Sequence, residues 1–445
     1  MRLAWFSPMP PVATGIARCS ADLLAVLRND HEIDVFVDEA NVVRAPALNP
    51  RLRSAHDFVW KHHKRPYDLI VYQLGNSSHH DYEWPYLFRY PGLAVLHDAH
   101  LHHARASCLL RTKRADDYRD EFRANHPDAD SSLAELAIAG FDTHLHYASP
   151  MTRLVLERSR LTAVHSAALA DRLRRSVPGA AIEAIRLGHG VAVSDDDGAA
   201  MSAAIRARYG IPADAVVFGC YGGLTPDKRI PHVLEAFAAT RAYIPNAHLL
   251  LAGALVEHLD VRADVERLQL KHSTTITGYL ESDEDLTAAI AACDVALNLR
   301  WPTAREVSGP WLRCLATGRA TVIVDLSHLV DVPSIDPRTW AAASTPPCTV
   351  AIDILDEDHS LRLAMRRLGT DRELRTALAR AGRAYWTAHH SIERMADDYR
   401  RVMEQAAAIS TDATSRIPLP EHLLDNGAGT LDAIVRDFGL DAPWR

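Results

Sequence analysis

The sequence predicts an α/β protein made of two doubly wound parallel sheets in tandem, and three observations carry that expectation. Short β-branched or apolar runs alternate with segments of helical period, the pattern of strands covered by helices. The alternation runs through the first half, breaks at the Gly- and Asp-rich stretch GHGVAVSDDDGAA after Leu187, and resumes at Val216. The 445 residues are about three times a usual single-domain length, so two or three domains are the starting expectation.

Strands are expected at Leu3–Phe6, Ile33–Val37, Leu69–Tyr72, Ala94–Leu96, Leu161–His165 and Ile182–Ile185. Between the first two, Ile16, Cys19, Leu23 and Leu27 share one helical face. Residues 101–150 interrupt the series with an Arg-rich, charged and helical stretch, read as an insertion that either shapes an acceptor site or merely covers the sheet. The Gly/Asp stretch reads as a linker or a domain crossover. The second series opens with the strand VVFGCYGG (216–223) and continues with a helix at Pro231–Ala242, strand His248–Leu251 and helix Val261–Gln269. Strands at Thr274–Thr277, Val295–Leu299 and Ala320–Val324 follow, with helices at Glu284–Ala292 and Gly309–Ala316, then amphipathic helix over His359–Ala407. The expected domains are 1–190, 191–390 and a helix and tail, 391–445, that could cross back to the first. Ligands of such sheets bind outside the carboxyl ends of strands where the winding reverses, which puts the expected active site in the cleft between domains.

Composition narrows the function classes. A net charge of -8 leaves no broad basic surface, so nucleic acid is not an expected partner, whereas a local cleft for a small phosphate is. The six cysteines lie far apart with no CxxC pair, which favours a reducing, cytoplasmic setting over a disulfide framework. No stretch approaches the roughly 18 apolar residues that span a bilayer, so any membrane contact is expected to be peripheral, on the inner membrane. The cations are 44 Arg against 5 Lys, which draws attention to a Lys at a motif position.

Four constellations could carry chemistry. In CYGGLTPDKR (220–229), Gly222 and Gly223 leave a strand and Lys228 precedes a helix, a geometry suited to a diphosphate: glycines let amides approach phosphate oxygens and a helix N-terminus adds positive potential. A plain strand-to-helix turn with a solvated Lys is the bland alternative. In LRWPTAREVSGPWLRCLATGRATVIV (299–324), Glu306 ends a polar loop and Ser308 and Gly309 start a helix, so a carboxylate for sugar hydroxyls and free amides would face one cleft; a capped helix with a compensating carboxylate is the alternative. In VLHDAHLHH (95–103), His97 and Asp98 end a strand where a hydrogen-bond or acid–base role is available; with His100, His102 and His103 they also invite a metal reading, although no ligand frame such as HExxH accompanies them, and packed or surface histidines are the bland alternative. In SPMPPVATGIARC, Gly15 would let a phosphate or sugar approach, and the lack of GxGxxG lowers the standing of a nicotinamide dehydrogenase.

In this order and spacing these segments resemble the retaining glycosyltransferases of family 4, which have the GT-B fold. SPMPPVATGIARCSADLL is similar to that family's opening strand, glycine loop and helix, VLHDAH to its strand-end histidine, YGGLTPDKRIPHVLEAF to its phosphate-binding signature, and TGYLESDEDLTAAIAACDVALNLRWPTAREVSGPWLRCLATGRATVIV to its donor half. The resemblance implies transfer of a sugar from a nucleotide diphosphate sugar to a glycan or lipid-linked acceptor, with retention, with no metal or other cofactor, and by family habit in surface polysaccharide biosynthesis. It implies that Gly15 approaches the donor, His97 and Glu306 contact its sugar, Lys228 binds the diphosphate, and Ser308 and Gly309 offer amides.

Two positions depart from the family pattern. Gly223 stands where an Arg precedes the signature lysine, and Cys314 where a second Glu follows the first, leaving a variant ExSGxxxR motif. Arg313 is then a candidate helper on the diphosphate, with pairing to an acidic residue as its alternative. The departures keep open a nucleotide-sugar-binding protein without catalysis, and a second rival is another GT-B enzyme such as a nucleotide-sugar epimerase. The donor, acceptor, linkage and oligomeric state are not legible.

Overall fold

The computed structural model describes residues 1–38, 52–141, 144–341, 345–411, 418–424 and 434–439. They cluster into two units: Met1–Ile185 with Ala304–Glu306 and Ala396–Arg445, and Arg186–Thr303 with Val307–Met395. Of the expected helix and tail, 391–445, residues 412–417, 425–433 and 440–445 lie outside the described residues.

The first unit holds a seven-stranded, wholly parallel sheet of β1 (Arg2–Phe6), β2 (Glu32–Val37), β3 (Leu52–Ser54), β4 (Leu69–Leu74), β5 (Leu93–Leu96), β6 (Leu161–Val164) and β7 (Ile182–Ala184), in the order β3-β2-β1-β4-β5-β6-β7. The chain winds outward to β3, then returns to the other flank of β1, so the winding reverses between β1 and β4. Alternate residues of β1 serve the two faces. Ala4 and Phe6 enter one core with Phe36, Phe58 and Tyr72, while Trp5 meets the ring of Tyr399 at 5.6 Å on the other. From Ala396 onward the helix Ile392–Ala408 belongs to this unit, where the Tyr399 hydroxyl donates to Gln73 Oε1 at 3.1 Å.

The stretch after β5 is helical, with His102–Arg111, Ala115–Asn125, Ser132–Ile138 and Leu145–Ala148. It closes a small core of its own from Leu109, Tyr118, Phe122 and Met151. Beside that core the Arg105 guanidinium and Glu121 carboxylate pair at 2.6 Å, 4% and 0% exposed.

The second unit repeats the plan with β8 (Val216–Tyr221), β9 (Ala247–Ala252), β10 (Thr274–Ile276), β11 (Val295–Leu297), β12 (Ala320–Val324), β13 (Ser334–Ile335) and β14 (Thr349–Ile352), in the order β10-β9-β8-β11-β12-β14-β13, all parallel. Its reversal lies between β8 and β11. Both faces are buried, as a parallel sheet requires: Phe218 and Cys220 of β8 join one core, Val217 and Tyr221 the other.

Three strands had not been expected: β3, β13 and β14. Within GHGVAVSDDDGAA, residues 188–194 form neither helix nor strand, whereas DDDGAA begins a helix that had not been expected, Asp195–Tyr209. Ser194 caps that helix by accepting from the Asp197 N–H at 3.1 Å, and Asp195, Asp196 and Asp197 sit where the helix dipole favours negative charge.

Candidate functional site

The carboxyl end of β8 is built around glycine. Gly222 adopts φ +81°, which strains any residue with a Cβ, and a Cβ there would lie 2.5 Å from the Lys228 ammonium nitrogen and push it aside. The next strand makes the same demand: a Cβ on Gly253 would meet the Gly222 carbonyl oxygen at 1.9 Å. The Gly222 N–H donates to Ala252 O at 2.9 Å, so it is tied into the sheet rather than offered to a ligand. The Gly223 N–H makes no hydrogen bond among the described residues, and it is this amide that the turn presents.

Lys228 closes the short 3-10 turn Pro226–Lys228 and reaches back across the glycines, donating to Tyr221 O at 2.6 Å. Burial first, then the charge of Arg300, lowers its pKa from 10.5 to about 8, against the opposing pull of Asp227 and Cys220. The ammonium has three donors, one of them engaged by Tyr221. The turn is anchored on both sides. Arg300 pairs with Asp227, and Trp301 N–H donates to Asp227 O at 2.7 Å, joining the loops that follow β8 and β11. Arg229, in the left-handed region at φ +60°, bonds Glu357 through Nε and Nη2 at 2.8 and 2.5 Å and so fixes the helix Ile230–Arg241 against Glu357–Thr370. Neither anchor was singled out from sequence.

After β11 the helix Gly309–Ala316 starts where expected, and Ser308 Oγ caps it by accepting from Trp311 N–H at 3.3 Å. Pro310 has no N–H and Trp311 uses its own, so Gly309 carries the remaining donor of that first turn. A Cβ at Gly309 would touch His189 at 3.0 Å. Arg313 takes the pairing alternative: Nη2 bonds Asp283 Oδ1 at 2.7 Å and Nε donates to His189 Nε2 at 2.9 Å. Cys314 is 0% exposed in the core with Tyr221 and Cys293, and burial pushes its thiol pKa up. The Cys314 side chain packs within that core.

The remaining candidates lie in the first unit. Gly15 opens the helix Gly15–Leu27, capped by Thr14, and a Cβ there would meet nothing within 4 Å, so packing does not demand this glycine. His97 follows β5, with Nε2 2.8 Å from Gln73 Oε1 and Nδ1 3.2 Å from His165 Nε2. Asp98 accepts from the Asn76 N–H at 2.8 Å, which ties the loops after β4 and β5 together. Glu306 is partly buried and clusters with this unit. The metal alternative gains nothing: His102 is bonded to Ser149 O and Tyr118 Oη at 2.7 and 2.6 Å, and among the described residues no group of three His, Cys, Asp or Glu is placed to hold a metal ion.

Residues 201–300 match the family model "Glycosyl transferases group 1", a stretch that contains Gly222, Gly223 and Lys228 and stops before Glu306. The chain is also similar to solved structures over nearly its whole length. Anabaena HepE in complex with UDP and glucose superposes with TM-score 0.61 at 14% identity, covering 91% of this chain and 99% of that one. Sucrose-phosphate synthase from Thermosynechococcus elongatus gives 0.61 at 17% identity over 92% and 100%. A glycosyltransferase from Rickettsia africae gives 0.61 at 12% over 92% and 99%. The chain has the GT-B fold. No curated protein matches it. Among the described residues no helix is long and apolar enough to cross a membrane.

Proposed function

We propose that this chain is a retaining glycosyltransferase that moves a sugar from a nucleoside diphosphate to a hydroxyl of a glycan or lipid-linked acceptor. The observation that carries the reading is the Lys228 ammonium, held over a side-chain-free glycine turn at the carboxyl end of β8, beside the point where the second sheet reverses its winding. The group 1 match over 201–300 supports it, as does the likeness to a structure that holds UDP and glucose.

In the proposed reaction the bond from the anomeric carbon to the donor phosphate breaks, and its electron pair stays on the phosphate oxygen. Lys228 and the Gly223 and Gly309 N–H groups meet that growing negative charge, a contribution on the order of 3–4 kcal/mol for one well-placed donor. The acceptor oxygen attacks the anomeric carbon from the face the diphosphate leaves, and its proton passes to a departing phosphate oxygen. Glu306 and His97 are assigned the sugar hydroxyls on the resemblance alone. The burial of Cys314 and the pairing of Arg313 concentrate the work on Lys228.

The test incubates the purified protein with a panel of nucleoside diphosphate sugars and an acceptor pool, following free nucleoside diphosphate and the anomeric configuration of the product by NMR. Release with an unchanged anomer is expected. An inverted anomer contradicts retention, conversion of donor without acceptor indicates an epimerase, and binding without release indicates a non-catalytic protein.

A further inference from the structure

A second charged site lies at the other end of the second sheet. Asp294 immediately precedes β11, and Gly318 and Arg319 precede β12, so a groove of about 910 Å³ opens at the amino ends of these strands, away from the loop that carries Lys228. The helix Arg372–His389 forms its other wall. Six arginines line it: Arg319, Arg372, Arg375, Arg380, Arg383 and Arg394.

Carboxylates do not balance this charge. Arg319 is held by the carbonyls of Thr317, Ala291 and Cys293, and Arg375 by those of Leu368 and Gly369, so both are oriented by neutral acceptors. Arg372, Arg380 and Arg394 have no side-chain hydrogen bond or ion pair among the described residues. Of the two aspartates, Asp195 is 97% exposed and meets Arg383 at 3.4 Å. Asp294 already accepts from Val217 N–H at 2.8 Å and from Arg206 at 3.1 Å. A chain with a net charge of -8 thus gathers uncompensated guanidinium groups in one concavity. Guanidinium forks match tetrahedral oxyanions in pairs of parallel hydrogen bonds, and the groove has the size of small-ligand sites.

We propose that this groove binds an anion bearing two or more phosphate groups. The site is separate from the proposed transfer chemistry and does not depend on it. The phosphates could belong to a soluble polyanion or to the headgroups of an anionic lipid, and the experiment separates the two.

Wild-type protein is titrated with inorganic tripolyphosphate by calorimetry, and is sedimented with phosphatidylcholine vesicles with and without an anionic phospholipid. The variant Arg372→Ala/Arg380→Ala/Arg394→Ala removes the three unpaired guanidinium groups. A control triple, Arg114→Ala/Arg123→Ala/Arg262→Ala, makes the same charge change elsewhere. The groove triple is expected to weaken binding at least about tenfold, with the control within about twofold, and added salt to weaken binding in both. Melting temperature and donor turnover are expected to stay unchanged in the groove triple. Binding of tripolyphosphate without vesicle retention assigns a soluble ligand, and retention that requires the anionic lipid assigns headgroups. If wild-type protein binds neither probe, or if both triples bind alike, the proposal is overturned.

Discussion

Lys228 donates to the Tyr221 carbonyl at 2.6 Å, reaching over a glycine whose missing Cβ would otherwise lie 2.5 Å from the ammonium nitrogen. A cation pressed into its own strand end costs folding energy. With its pKa lowered from 10.5 to about 8, chiefly by burial, the native state is penalised at neutral pH, and the penalty fades as pH rises through about 8 towards 10.5. Lys228→Met is therefore expected to melt at the same or a higher temperature while turnover falls about 100-fold or more. Scanning fluorimetry beside a nucleoside diphosphate release assay checks this; a lowered melting temperature with turnover intact would show a structural lysine.

The same pKa sets a pH limit for catalysis. The free protein loses its cation above about pH 8, so kcat/KM is expected to fall along that limb. Lys228→Arg keeps a charge at every accessible pH, and whatever activity it retains should lack the alkaline limb. An unchanged alkaline limb in Lys228→Arg would place the titration elsewhere.

Gly222→Ala tests the turn. The left-handed backbone costs about 1–2 kcal/mol for a residue with a Cβ, and the new methyl displaces Lys228, so turnover is expected to drop at least about tenfold for a small loss of stability. Gly253→Ala puts a methyl 1.9 Å from the Gly222 carbonyl and should cost about 3 kcal/mol or more by denaturant unfolding.

Arg313 serves position rather than charge in the structure. Its pairing with Asp283 at 2.7 Å, at 11% and 30% side-chain exposure, predicts a coupling energy of about 1–3 kcal/mol in a double-mutant cycle of Arg313→Ala and Asp283→Ala. Additive effects would count against the pair.

In the first unit, burial pushes the Glu121 pKa up, but the charge and hydrogen bonds of Arg105, joined by His422, outweigh it and bring it down to about 2. A carboxylate depressed in this way stabilises the fold above its unfolded value near 4.5, and that stability is lost as pH falls towards 2. Glu121→Gln leaves Arg105 buried without its counter-charge and is expected to cost about 3 kcal/mol at pH 7, with a shallower acid limb. Equal acid limbs in wild type and variant would contradict the pairing.

Local periodicity made much of the fold legible. Runs such as LIVY and VVFGCY are buried on both faces and read as strands without any partner being known. The three-residue β3 and two-residue β13 are too short to show a period, and β14 follows a long crossover that hides its place beside β12. The helix Asp195–Tyr209 escaped because Gly198 and Ile205 are its only buried residues among those described, leaving no apolar stripe to recognise. At the site, Gly222, Lys228, Ser308 and Gly309 were visible because turn and cap chemistry is local. The partners that decide what each can do are not: Asp283 and His189 stand 30 and 124 residues from Arg313, and the clash that makes Gly253 obligatory is with another strand's carbonyl.

The most direct measurement is single-turnover release of nucleoside diphosphate from a bound nucleotide sugar by wild-type protein and Lys228→Ala, with both shown folded. A fall of about 100-fold or more in the release rate is predicted for the variant. Equal rates would remove Lys228 from the chemistry and contradict the proposed role of the β8 turn.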